Sequence, residues 1–369
     1  MEVAPHKKVE QDFEEKIQAV LDEGSLDETQ ENWVQHPGDH LGALFRWGAE
    51  QDKLQSLINR QGDRERFLTY RDSLPTNTEK IRFRSQLGPL SNIPFRTIPT
   101  WERLQLDNAQ WLWLTRDRLG LQQPVVDEIK ELHCSCHRKT LIGKGRHCRS
   151  CLLGGGPTNV HDSVRNEIHA MCRSAGVDAK MEVQNVFAEN ADVPGDIVCY
   201  NMPNMGNGLV IDVTITDSRL VPQGASLANI QRKASTVGVQ ARAKENFKRN
   251  EKNKPGDPTM EERVSGIGYH FKPVGLEVDG AVGDSWSYIL KKLSEIAHER
   301  RGHNKATFRK KWTARIGMCL AKDGAKIAIK HANALVARHK GNNAAFEHRD
   351  IDPLPQLNIH DVILIDDPN

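Results

Sequence analysis

The chain has 369 residues, 38% of them hydrophobic and 27% charged, with 51 Lys and Arg against 49 Asp and Glu. That length allows two or three domains of about 100–200 residues, and the composition is that of a globular protein rather than a disordered one. No run of about 18 apolar residues occurs, which excludes a transmembrane helix and argues against a membrane partner. The opening MEVAPHKKVEQDFEEK is too polar for a secretory signal. With seven cysteines, this predicts a reducing, intracellular compartment, where clustered cysteines bind metal more often than they form disulfides.

The net charge of +2 hides an uneven distribution. Residues 1–30 carry nine acids and three lysines, and residues 341–369 carry six acids and one arginine. Residues 231–254 and 291–311 each carry eight Lys or Arg and two Glu. Basic blocks between acidic ends suit a polyanion-binding middle, and they equally suit two solvated helix faces.

In chain order, residues 1–125 read as a mostly helical region. LGALFRWGAEQDKLQSLINRQ and RERFLTYRDSL have the apolar spacing of helices. Pro75, Pro89, Pro94 and Pro99 predict a loop-rich stretch over 75–100. A helix resumes at Trp101 and stops near Gly120. Residues 126–157 are rich in Cys, His, Gly and basic residues and have little to build a core. An α/β pattern fills 158–340. His161–Ala175 predicts a helix whose Val164, Ile168, Met171 and Cys172 form one stripe. Three strand-like runs follow at Lys180–Phe187, Asp196–Met202 and Leu209–Thr216. A long basic helix is expected over 225–251, a strand at Tyr269–Val278, and helices at 284–301 and 305–338. The acidic tail 341–369 closes the chain. The order is α-β-β-β-α-β-α-α, with no internal repeat.

Cys134, Cys136, His147 and Cys151 form C-x-C-x10-H-x3-C. Three thiolates and one imidazole suit tetrahedral zinc, and metal binding would supply the folding energy this segment lacks. Cys148, His133 and His137 are possible substitutes. Cys172, Cys199 and Cys319 fall in apolar patterns and read as buried thiols.

Asp196 opens the second strand within Pro194-Gly195-Asp196, and Asp212 lies inside the third. Neighbouring strands would set the two carboxylates side by side, an oxygen site suited to Mg²⁺ or Mn²⁺. A lone carboxylate inside an apolar strand is costly unless paired or metal-bound. Glu167 on the preceding helix is a candidate third acid. Thr214 stands two residues after Asp212, so a lysine must come from elsewhere; Lys244 and Lys248, four apart on the next helix, are both candidates. His161 and Arg165 at the first helix, with Arg242, Lys248 and Arg249 on the basic one, are candidate phosphate contacts. Asp162 is a candidate N-cap.

These residues resemble a known family. The chain is similar to the C-terminal region of non-long-terminal-repeat retrotransposon reverse transcriptases, which carries a zinc knuckle and a restriction-like, PD-(D/E)XK-type endonuclease. Leu114-Thr115-Arg116-Asp117-Arg118-Leu119-Gly120-Leu121 resembles its helix ending in R-L-G-L. Cys134, Cys136, His147 and Cys151 match its knuckle. His161-Asp162-Ser163-Val164-Arg165 matches R-H-D-x-x-R, with Val160 in place of the leading Arg. Pro194-Gly195-Asp196 matches P-(A/G)-D, and Ile211-Asp212-Val213-Thr214 its D-V-T strand. Lys244-Glu245-Asn246-Phe247-Lys248 resembles K-x-x-K-Y, with Arg249 where Tyr is common. Phe271-Lys272-Pro273-Val274, followed by Gly280, resembles F-x-P…G, and Trp312 starts a matching terminal helix. The likeness spans about residues 85–338.

The resemblance implies an α/β fold with a restriction-endonuclease-like αβββαβ core, preceded by a helical region and a small zinc knuckle. It implies hydrolysis of target DNA, with Asp196 and Asp212 as Mg²⁺ or Mn²⁺ ligands and Lys244 or Lys248 as the catalytic lysine. No Y-x-D-D or F-x-D-D polymerase motif is present. DNA is the expected partner, with RNA the alternative nucleic acid. RRGHNKATFRKK is a candidate nuclear signal, so a nuclear location is expected. The competing reading is a non-catalytic nucleic-acid-binding module from a decayed or domesticated element. A third is a structural fragment with no role of its own.

Overall fold

The computed structural model describes residues 66, 68–123, 125, 134, 147–151, 156–184, 186–187, 193–219 and 226–339. The chain divides into two compact units, Met1–Thr76 and Asn77–Asn369. In the first unit, residues 68–73 are helical, as RERFLTYRDSL predicts. The segment LGALFRWGAEQDKLQSLINRQ and the acidic tail lie outside the described residues.

The second unit begins with a helix inside the stretch expected to be loop. This helix, α1 (Asn77–Ser85), forms because the prolines flank it: Pro75 precedes it and Pro89 follows. The short α2 (Ile93–Arg96) takes Pro94 in its first turn, where the missing N–H costs nothing. A 3₁₀ turn follows (Glu102–Leu104). Helix α3 (Asn108–Leu119) starts on a capping box between Asp107 and Gln110 and ends at Gly120, which is left-handed at φ 71°. The helix expected from Trp101 therefore starts later and ends as expected. Leu90 and Leu104, within the stretch read as the helical N-terminal region, are buried in the main core.

Helix α4 (His147–Ser150) leads to α5 (Gly156–Ser174), which buries Val160, Val164, Ile168, Met171 and Cys172. This is the predicted stripe with one residue added at its N-terminal end. Four strands form one mixed sheet: β1 (Asp178–Met181), β2 (Ile197–Tyr200), β3 (Gly208–Thr216) and β4 (Tyr269–Glu277), in that spatial order. The β1–β2 and β2–β3 pairs are antiparallel, and β3–β4 is parallel. A parallel neighbour needs a crossover. It is built from α6 (Leu227–Ser235), α7 (Val239–Arg249) and α8 (Met260–Gly266). The single helix expected over 225–251 is broken at Gly238, whose φ of 71° no right-handed helix accepts. The sequence reading missed α8, although Thr259 and Glu262 form a capping box at its start. Helices α9 (Asp284–Arg301) and α10 (Lys305–His339) complete the unit.

Side chains alternate across the sheet. Ile197, Cys199, Leu209, Ile211, Val213, Val274 and Leu276 belong to the main core, with α5, α9 and the first half of α10. Val198, Val210 and Phe271 face the other way, against Val264 of α8 and Phe187. On that second face α7 approaches closely at Gly275. A Cβ there would stand 2.3 Å from the Ala241 carbonyl oxygen. Among the described residues, no helix is long and apolar enough to cross a membrane.

Candidate functional site

Strand register builds the first constellation. Met181 pairs with Ile197, and Ile197 with Ile211. One step further along each strand puts Glu182, Asp196 and Asp212 in one row, and the Glu182 N–H donates to the Asp196 carbonyl at 3.0 Å. Directly opposed antiparallel residues project to the same face, so the two aspartates sit side by side, as expected. The Val213 N–H donates to Asp196 Oδ2 at 2.6 Å.

Asp212 is held differently. Its Oδ2 is buried and accepts no hydrogen bond, although the Lys248 Nζ stands 3.4 Å away as an ion-pair partner. Burial pushes its carboxyl up to about 6; Lys248 pulls it back, and the Asp196 charge adds to the rise. Burial pulls the Lys248 ammonium down. The carboxylates of Asp212 and Glu251, the latter also 3.4 Å away, outweigh that and hold it above its usual value. Lys248 is therefore a cation at neutral pH.

Of the two lysines left open by the sequence, Lys248 reaches Asp212. Lys244 instead lies over the exposed Phe247 ring, 5.4 Å from its centroid. His161 enters from α5. Its Nε2 is 3.2 Å from Asp196 Oδ2 and 3.0 Å from the Val213 carbonyl, and its Nδ1 is 3.2 Å from Asp162. The hydrogen bond with Asp196 raises the imidazole to about 9 against the opposing effect of burial, so both ring nitrogens donate at neutral pH. Arg165 pairs with Glu182 and, at 3.4 Å, with Asp162. Both residues expected to touch phosphate are thus directed at acids around the site.

Three further expectations are corrected. Glu167 is fully buried and both its oxygens are taken, one by Arg103 and the other by Arg315 Nε at 2.9 Å. It is a structural ion-pair centre and not a third acid of the row. Arg242 donates to the Val237 carbonyl at 2.7 Å and lies 3.8 Å from Asp284. Arg249 bonds Asn246 and Ser285 at 2.9 and 3.0 Å. These two arginines secure α7 to its surroundings rather than form a free basic face.

The second constellation is sulfur and nitrogen. The ligand atoms of Cys134, His147, Cys151 and His331 all lie within 4.8 Å of one another. The two sulfurs are 3.6 Å apart, and Cys134 Sγ is 3.5 Å from His331 Nε2. A tetrahedron with Zn–S bonds of about 2.3 Å has S–S edges near 3.8 Å, so this set is of the right size for one ion. Cys148 is also buried; burial and its two cysteine neighbours push its thiol up to about 12, and it is not one of the four. Cys136, His133 and His137 lie outside the described residues. Cys172, Cys199 and Cys319 are buried thiols, as expected. His331 was missed because it lies on the last helix, far along the chain. Its sequence signal is a histidine set in the alanine stripe Ala325, Ala328 and Ala332.

No protein-family model matches the chain, and no curated protein matches it.

Proposed function

We propose that the chain is a divalent-metal-dependent DNA endonuclease with Asp196, Asp212 and Lys248 at its centre. The observation that carries this reading is the buried Asp212 oxygen that accepts no hydrogen bond, beside a second carboxylate and within ion-pair distance of one lysine. A carboxylate so held is expensive, and a shared cation offsets the cost. Kinship with the restriction-like endonuclease of non-long-terminal-repeat retrotransposons is supported by the strand order. One helix precedes three antiparallel strands, and a helical crossover leads to a parallel fourth. The P-G-D and D-V-T segments lie opposite each other across β2 and β3.

Bound Mg²⁺ or Mn²⁺ would supply Lewis acidity at the scissile phosphate and an acidified water. Asp196 and Asp212 are the residues that would hold it. The Val213 amide and His161 orient the Asp196 carboxylate. Lys248 stays protonated and is placed to offset charge that develops on the phosphate. A cation next to a metal site weakens metal binding unless an anion joins both. This favours a phosphodiester substrate over a purely structural calcium site. The Cys/His cluster is proposed to hold zinc. DNA is the proposed partner, with RNA the other nucleic acid of matching charge, and the nucleus is the proposed location.

The test is nicking of supercoiled plasmid by zinc-loaded protein with Mg²⁺ or Mn²⁺. Cleavage is expected in at least one ion. Asp196→Ala and Asp212→Ala should each slow it about 10³-fold while DNA affinity stays within about threefold. Folded wild-type protein that binds DNA but cuts with neither ion would make the non-catalytic binding module the correct reading.

A further inference from the structure

The Cys134–His147–Cys151–His331 cluster draws together the knuckle and the far end of the chain's longest described helix. We propose that one zinc ion is bound by these four residues as a Cys₂His₂ site, that His331 is a direct ligand, and that the ion clasps the second half of α10 onto the knuckle.

The donor set is the first argument. Two thiolates and two imidazoles suit zinc and are poor ligands for Mg²⁺ or Ca²⁺, which take oxygen. Four ligand atoms already surround one position, and structural zinc is closed at four.

The packing is the second. Helix α10 has two halves with different partners. Phe308, Trp312 and Ile316 are buried in the main core. Ala321, Ala325, Ala328, Ala332 and Leu335 are buried in a separate cluster with Trp113, Leu114, Cys134, Cys148 and Cys151. Small residues at helical spacing let the knuckle approach the α10 backbone, and His331 lies three residues beyond Ala328, on the neighbouring turn position. On the α10 side this cluster is built mostly of alanines, so the metal bonds would add to a packing that each small side chain supports only weakly.

The third argument is that the knuckle end of the clasp is itself anchored. Arg149 on α4 donates to Asp117 at 2.8 Å, to Asp279 at 3.1 Å and to the Val278 carbonyl at 2.6 Å. His147 and Cys151 are therefore presented from a segment tied to the end of β4. Closing a chain loop as long as that from 134 to 331 with one ion restricts the unfolded chain strongly, so metal affinity is also folding energy.

The experiment compares full-length wild type with His331→Ala and His331→Cys, by metal content and by the visible spectrum after Co²⁺ replacement. Wild type should hold about one zinc per chain and give the spectrum of a two-sulfur, two-nitrogen site. His331→Ala should bind at least about 100-fold more weakly. His331→Cys should keep the metal and gain sulfur-to-cobalt charge-transfer intensity, a readout open only to a direct ligand. In hydrogen exchange, chelation should expose amides of 325–337 while 308–316 stay protected. His331→Ala with unchanged affinity, or His331→Cys with no spectral gain, would each overturn the proposal. None of these measurements involves nucleic acid, so the outcome is separate from that of the nuclease reading.

Discussion

Glu167, Glu245 and the half-buried Asp212 show three different fates of a carboxylate drawn into this fold. Glu167 has an arginine on each oxygen. Glu245 accepts backbone N–H groups from Gly275, Asp284 and Ser285 at 3.0–3.4 Å. Asp212 leaves one oxygen without a hydrogen bond. The first two strengthen the fold; the third weakens it in the absence of a ligand, as strained functional groups do. Its position was legible in the sequence because a carboxylate inside LVIDVTIT has no local partner. The role of Glu167 was not legible, since Arg103 and Arg315 come from distant parts of the chain. The raised Asp212 carboxyl has a consequence for stability. With a folded value of about 6 above an unfolded value of about 3.9, the folded state binds the proton more tightly. Stability is therefore highest below pH 4 in this respect, and it falls as pH rises through 6. At pH 7.5 the ionised group costs on the order of 2–3 kcal/mol, a net figure in which the pull of Lys248 is already included. Thermal melts without added divalent ion should show Asp212→Asn raising Tm by about 2–5 °C at pH 7.5, with the gain vanishing near pH 4. A lower Tm at pH 7.5 would mean that the carboxylate is fully satisfied without metal.

At the level of elements, the reach of Lys248 depends on how α7 lies on the sheet. Two glycines set that position. Gly238 ends the preceding extended turn and starts α7 in a new direction. Gly275 lets the Ala241 backbone approach β4. The break before α7 was not legible: the spacing of basic and apolar residues across 225–251 is compatible with one helix, and the extended Thr236 and the left-handed Gly238 separate two. The strands were read unevenly: the run expected at Lys180–Phe187 overlaps β1 only at residues 180 and 181. The β3 and β4 bounds match closely, because each alternation is local. Gly275→Ala should push α7 off the sheet, costing about 1–3 kcal/mol and drawing Lys248 away from Asp212. Melts and single-turnover cleavage at saturating metal should both decline, the rate by more than about tenfold. A destabilised variant that cuts at the wild-type rate would show that the distance from Lys248 to Asp212 does not govern turnover.

At the scale of the whole described unit, charge joins what the apolar core does not. Arg219 pairs with Asp217 at 2.9 Å and Asp117 at 3.0 Å, and Arg149 pairs with Asp117 and Asp279. All five residues are buried, and they come from α3, from α4 and from the segments that follow β3 and β4. Removing one member of such a network leaves a buried charge uncompensated, typically at about 3–5 kcal/mol. None of this was legible, because each residue reads singly as a polar loop or helix position. The order of elements and the paired aspartates were legible. The place of His331 in the Cys/His cluster and the choice between two lysines needed contacts between distant segments. That last choice gives the most direct test of the account. Single-turnover cleavage at saturating Mg²⁺ or Mn²⁺ should drop about 10²–10³-fold in Lys248→Ala and stay within about threefold of wild type in Lys244→Ala. Equal effects, or a larger loss in Lys244→Ala, would contradict a centre built from Asp196, Asp212 and Lys248.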